Sequence, residues 1–284
     1  MNDDLVFSNY CAAFLDLLGQ RDSMRGQDLL HLDESGHAIE PIKKSMIDSV
    51  GKILSFQKDA DIFLNERPET SVRDSLEPEQ RQSYDEVKEI KMKRQRWSDG
   101  LVLYTTMQVT APMNAIYEVM FASACLCFQQ LAKKAPIRGG LDISWGAELH
   151  DEELYGAIVA NSYALESEVA QYPRIVVSDR LNDYLHVAAD EIDNQDPAVK
   201  MNAALAEFCK GLLIRDLDGF LILDYLGPTI YNAIGEDVFV ELHNLAKTYA
   251  HEQYDKFRDE KNSVLAARYN WLVSYLENRM EADV

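Results

Sequence analysis

Two acidic residues stand at positions where a carboxylate does little for packing. Asp16 closes a nearly unbroken apolar and aromatic run, Asn9 to Leu18, the pattern of a strand buried on both faces. Asp99 lies between two strand-like segments, Val87 to Trp97 and Leu101 to Thr106, where Ser98-Asp99-Gly100 puts an Asp-Gly pair at a hairpin tip. If the two strands are sheet neighbours, the carboxylates meet. A magnesium or manganese ion on a phosphate ester takes one or two protein carboxylates and fills its other positions with phosphate and water. Two such ions activate an attacking hydroxyl and neutralise phosphate charge. Arg138, just ahead of Gly139 and Gly140, is the candidate cation for the same phosphates. Each residue also has a plainer reading. A carboxylate after a strand caps the next helix, Asp-Gly is a preferred turn pair whatever the function, and Arg138 can pair with a surface acid.

The elements that must position these residues follow from periodicity. From Gln20 to about Gln95 the pattern is polar and helical, with Ile42, Met46, Ile47, Val50, Ile53, Leu54 and Phe56 at three- and four-residue steps. Asn65 to Asp85, charged and holding Pro68 and Pro78, reads as a loose excursion. Pro112 to Lys134 is apolar on most faces, a helix packed on the sheet that stops at Pro136. Ile137 to Glu148 alternates as a strand, Tyr155 to Gln171 reads as a helix, and Pro173 to Ser178 is a short strand followed by a helix. Leu212 to Asp216 and Phe220 to Tyr225 flank a second Asp-Gly hairpin at Asp218-Gly219. From Pro228 onward the chain is helical, with Trp271, Leu272, Tyr275 and Leu276 on one stripe. No internal repeat or low-complexity linker divides it, so we expect one domain over 1–227 with a helical insertion at about 20–96. A helical extension, 228–284, packs on it or on a partner subunit.

Composition narrows the partners. The 284 residues, 47% of them hydrophobic, can bury a substantial core. A net charge of −20 argues against general affinity for nucleic acid or anionic lipid. The local exception is Lys88, Lys91, Lys93, Arg94 and Arg96, either a solvated hairpin edge or a rim that attracts an anionic substrate. Cys11, Cys125, Cys127 and Cys209 sit in apolar runs without metal or disulfide spacing, and the six histidines show no metal spacing. Neither a leader nor a clean membrane span is evident, so a cytoplasmic location is expected.

Four segments, in order, carry a resemblance. Phe14-Leu15-Asp16-Leu17-Leu18-Gly19 is similar to the first metal-binding strand of the class III nucleotidyl cyclases, and Trp97-Ser98-Asp99-Gly100-Leu101-Val102 to their second metal turn, with Ser-Asp in place of Gly-Asp. Arg138-Gly139-Gly140-Leu141-Asp142 resembles the strand whose leading arginine contacts the triphosphate. Tyr155-Gly156, Ala164-Leu165-Glu166-Ser167 and Pro173 to Ser178 match the family's helix and following strand. The match spans roughly Tyr10 to Leu185, and its wording resembles the pyrimidine cyclases of bacterial Pycsar anti-phage defence.

The resemblance implies an α+β fold with a ferredoxin-like βαββαβ core, mainly antiparallel and covered by helices. It implies a phosphorus-oxygen lyase that makes cyclic UMP, or cyclic CMP as runner-up, at the interfaces of a homodimer, for a separate effector protein. Asp16, Asp99 and the Leu17 carbonyl would hold two Mn2+ or Mg2+ ions. Arg138 would neutralise the phosphates, and the Phe14 backbone would approach the triphosphate. The family's asparagine and arginine that steady the transition state are replaced by Ala160 and Ala164, which leaves Asn161, Arg138, Arg174 or Arg180 for that work. Glu153 stands nearest the purine-selecting position, while Asp142 and Glu166 read as structural. A purine cyclase and an inactive nucleotide-binding module are the alternatives.

Overall fold

A computed structural model of the chain describes residues 6–19, 29, 32–37, 42–65, 73–74, 76–86, 91–150 and 153–281. The fold is α+β, as expected. Strand β1 (Phe7–Leu17) lies between β3 (Gly100–Thr106) and β4 (Ile137–His150), and β2 (Lys93–Trp97) pairs with the outer side of β3. These four run in the order β2-β3-β1-β4, every neighbour antiparallel. Helices α1 (Ile42–Asn65) and α2 (Pro78–Glu86) enter between β1 and β2, and α3 (Pro112–Ala132) between β3 and β4, so the chain order is that of a βαββαβ unit. The sheet continues through β6 (Ile175–Val177), parallel to β4, then β8 (Leu221–Leu223) and β7 (Leu213–Arg215), while β5 (Glu153–Tyr155) pairs with the end of β4.

From Tyr10 to Leu15 β1 is apolar because both of its faces are covered there. Cys11, Ala13, Leu15 and Leu17 point into the main core under α3, whereas Tyr10, Ala12 and Phe14 join Val102, Tyr104, Leu154 and Ile158 in a second cluster. Helix α4 (Ala157–Ala164) covers that second face and runs on into a π-helical turn, Leu165–Val169. Helices α5 (Asp179–Ala189) and α6 (Pro197–Lys210) follow β6. The C-terminal α7 (Pro228–Ile234), α8 (Glu236–Asp259) and α9 (Ser263–Glu281) join the main core, where Phe239 packs on Phe128 at 5.3 Å and His243 Nε2 lies 2.9 Å from the Leu276 carbonyl. By length and composition α3 is apolar enough to cross a membrane, but 78% of its apolar window is buried inside the protein.

Several boundaries differ from the sequence reading. The excursion over Asn65 to Asp85 holds a helix, α2, begun by Pro78, because proline is well suited to a first helical position. Residues 20–28, 30–31, 38–41, 66–72, 75 and 87–90 of the expected helical stretch and first hairpin strand lie outside the described residues. The hairpin turn is Ser98-Asp99, and Gly100 already belongs to β3. Helix α3 stops at Ala132, ahead of Pro136: Lys134 takes a left-handed φ of 62° and the Ala135 N–H donates back to Gln130.

Candidate active site

The ends of three strands bring the sequence-selected residues together. In the ladders Asp16 is opposite Gly100 on one side and Arg138 on the other. Asp99 directly precedes Gly100, and its carbonyl accepts the Leu17 N–H at 3.4 Å. The N–H and C=O of a strand residue face the same neighbour, so the Leu17 carbonyl also faces the Asp99 turn. Phe14 is two residues earlier on the same face as Asp16. Its backbone N–H and C=O face β4, where Phe14 stands opposite Gly140, and its ring is what it presents beside the site.

Two glycines make this geometry by their missing side chains. A Cβ at Gly100 would stand 2.8 Å from the Leu15 carbonyl oxygen and 3.4 Å from Asp16 Oδ1, filling the space beside the carboxylate. Gly100 is therefore required for room rather than for φ, and the left-handed position of the turn falls on Ser98, at φ 52°. A Cβ at Gly140 would overlap the Ser162 carbonyl oxygen and reach 2.7 Å from Glu166 N, so only glycine lets α4 and its π turn lie so close to β4.

That close approach places Glu166 in the site. Its side chain is 3% exposed, and Oε1 stands 2.5 Å from Arg138 Nε. The two atoms are close but misaligned, and neither completes a hydrogen bond. Arg138, 23% exposed, also reaches Asp16 Oδ2 through Nη2 at 3.4 Å. Burial pushes the Glu166 carboxyl up to about 7, Arg138 opposes the rise, and the charges of Asp16 and Asp99 add to it. Two carboxylates, Asp16 and Glu166, thus contact one guanidinium, and the charge of Asp99 is felt at the same place.

The fit to divalent metal is good in donor chemistry. Asp16 and Asp99 are hard oxygen donors at adjacent strand ends, and the missing side chain of Gly100 keeps a Cβ from standing 3.4 Å from Asp16 Oδ1. Among the described residues no group of three or more His, Cys, Asp or Glu forms a ready metal cage, and a nucleotide-borne ion does not need one. Beside the carboxylates the Phe14 ring meets Trp97 at 5.6 Å and Tyr163 at 5.1 Å, both edge-on, and these two flanking rings are exposed.

Other candidates are engaged elsewhere. Arg174 is buried and held by Asp216 and Asp218, and Arg180 reaches the Ile143 carbonyl at 3.1 Å and Asp142 at 3.4 Å, so neither is presented beside Asp16. In the basic run, Lys93 pairs with Glu148 at 2.5 Å and Arg94 pairs with Asp61, which ties the β2-β3 hairpin to β4 and α1. Lys88 lies outside the described residues. All four cysteines are buried and free. Asp142 is buried on Ser178 and Arg180, a structural role as read. Glu166 has no sequence signal beyond its place in Ala164-Leu165-Glu166-Ser167. The chain was compared with models of protein families, with curated proteins and with solved structures, and nothing matches in any of the three.

Proposed function

We propose that the protein is a nucleotidyl cyclase that converts a pyrimidine nucleoside triphosphate, UTP in preference to CTP, to the 3′,5′-cyclic monophosphate and diphosphate. The observation that carries this reading is the meeting of Asp16 and Asp99, distant in sequence, at the ends of adjacent strands with Arg138 directly across from Asp16. In the reaction the ribose 3′ oxygen attacks the α-phosphorus in line, the bond to the β-phosphate oxygen breaks, diphosphate leaves, and the hydroxyl proton passes to solvent. Mn2+ or Mg2+ bound by Asp16, Asp99 and the Leu17 carbonyl would supply Lewis acidity toward the phosphate and the attacking hydroxyl. Arg138 contributes positive charge where the transferred phosphoryl group accumulates negative charge. The exposed Trp97 and Tyr163 rings beside Phe14 offer an apolar surface on which a base can stack. The preference for a pyrimidine rests on the resemblance of the motifs. So do the homodimer with sites at its interfaces, the cytoplasmic location, and the role as an anti-phage second messenger read by a separate effector.

A second reading, an inactive module that binds nucleotide and signals, is favoured by Ala160 and Ala164 on α4 where the family carries its transition-state pair. One experiment separates them. Purified protein with manganese and each of the four nucleoside triphosphates should yield cyclic UMP, with cyclic CMP second. Product from ATP or GTP alone would remove the pyrimidine reading, and tight binding without any cyclic product would favour the inactive module.

A further inference from the structure

Glu166 has no part in the reaction as written, yet three independent features single it out. It is almost wholly buried. It sits in a π-helical turn, closed by the Ala170 N–H donating to Leu165 O at 2.8 Å, and such turns recur at functional sites. Its Oε1 and Arg138 Nε are 2.5 Å apart, and both atoms lack a hydrogen bond. A carboxylate that served only to neutralise a buried guanidinium would align with it and saturate it. Here Glu166 meets Nε from the buried side, while Nη2, the next nitrogen along the same edge of the guanidinium, reaches Asp16 at a looser 3.4 Å.

We propose that Glu166 is a positioning residue for Arg138: its buried charge beside Nε sets the direction of the guanidinium, so that the Nη groups face the triphosphate beside Asp16 and Asp99. The proposal rests on the cyclase reading above. A long arginine side chain is rich in rotamers, and fixing its direction in advance removes much of that entropic cost from substrate binding. The weak contact with Asp16 can be given up to a phosphate oxygen while the Glu166 contact stays. Gly140 is part of the device, because it admits the π turn to the distance at which Glu166 reaches Arg138.

The test uses the full chain with Glu166→Gln and Arg138→Gln, singly and together, read by thermal unfolding, by binding of inorganic tripolyphosphate with manganese, and by kcat and KM for UTP. Glu166→Gln should stay folded, weaken tripolyphosphate binding roughly tenfold and lower kcat/KM roughly a hundredfold, the scale of a group displaced by about 1 Å. Arg138→Gln should lose at least as much, and the double variant no more than Arg138→Gln alone. Should Glu166→Gln fail to fold, Glu166→Asp, which keeps the charge and withdraws it by one methylene, should show the same binding loss in weaker form. Normal binding and turnover in the Glu166 variant, or losses that simply add in the double variant, would overturn the proposal. If the wild type binds tripolyphosphate but cyclises no nucleotide, the cyclase reading falls while the binding comparison still decides Glu166. If it does neither, both fall.

Discussion

Arg138 and Arg174 enter the sheet side by side, at the starts of β4 and β6, where the Gly139 N–H donates to the Arg174 carbonyl at 2.9 Å. Their surroundings are opposite. Arg174 is 1% exposed and is held by Asp216 and by Asp218 at 2.6 Å, by the Val169 carbonyl at 3.2 Å, and by the rings of Tyr172 and Trp271, so that only its Nε lacks an acceptor. Trp271 Nε1 in turn donates to Asp216 at 3.0 Å, which fastens α9 to the second hairpin. Arg138 has one close but misaligned partner and one long contact, and part of it remains open to solvent. An arginine held at many points builds structure; one with fewer and looser contacts beside carboxylates is, under the proposed function, the one that receives the phosphates. Arg174 also supports its neighbour, since its Val169 contact holds the end of the π turn that carries Glu166.

This contrast breaks if chemistry and stability do not separate between the two sites. The largest effect should come from Asp99→Ala, which should lower the rate of cyclic product formation roughly a thousandfold or more, equivalent to about 4 kcal/mol of barrier. Asp216→Ala should leave kcat of the folded protein close to wild type, and steady-state kinetics on both variants checks the pair. Next, Arg174→Met should cost about 3–5 kcal/mol in urea unfolding, because Asp216 is left buried without its cation. Arg138→Met should cost no more than about 1 kcal/mol in the same titration, since Glu166, raised to about 7 even with Arg138 beside it, can take a proton instead.

Much of the site was legible because it is written in local signals. The apolar run ending at Asp16, the Asp-Gly turn and the Arg-Gly-Gly strand each declare a position at a strand end, and neighbouring strands then bring those ends together. Glu166 was not legible in this way. Its place depends on the clearance at Gly140 and on a π turn, and neither leaves a periodic trace. Helix α2 was missed because Pro78 in a charged segment reads as a breaker, although proline at a first helical position starts a helix. The pairing of Arg174 was equally hidden, since its acids lie more than forty residues downstream, at Asp216 and Asp218.

Two smaller effects sharpen the comparison. Glu166 binds its proton more tightly in the folded chain, with its carboxyl raised from the ordinary 4.5 to about 7. Its contribution therefore favours folding fully below about pH 4.5 and is lost as the pH rises through 7. Asp218 behaves in the opposite sense. Burial alone would raise it, but the hydrogen bond and charge of Arg174 outweigh that and hold it below the usual carboxylate value. The stability from that pair is present at neutral pH and is lost as the pH falls through the lowered value. Unfolding midpoints of metal-free wild type and Glu166→Gln between pH 4 and 8 should converge toward the acid end and separate in slope between about 4.5 and 7. The smallest effect belongs to the turn. Ser98→Gly should relieve the left-handed φ of 52° and stabilise the fold by about 0.5–1 kcal/mol, with catalysis retained.

The most direct measurement is manganese binding in the presence of 3′-deoxy-UTP, which cannot cyclise, followed by the electron paramagnetic resonance signal of free Mn2+. Wild type should take up two ions per site, and Asp16→Asn and Asp99→Asn should each lose this binding while unfolding at an unchanged temperature. Uptake that is unaltered in both variants would contradict the account, because the ions would then be held by something other than the two aspartates that stand at the end of β1 and in the β2-β3 turn.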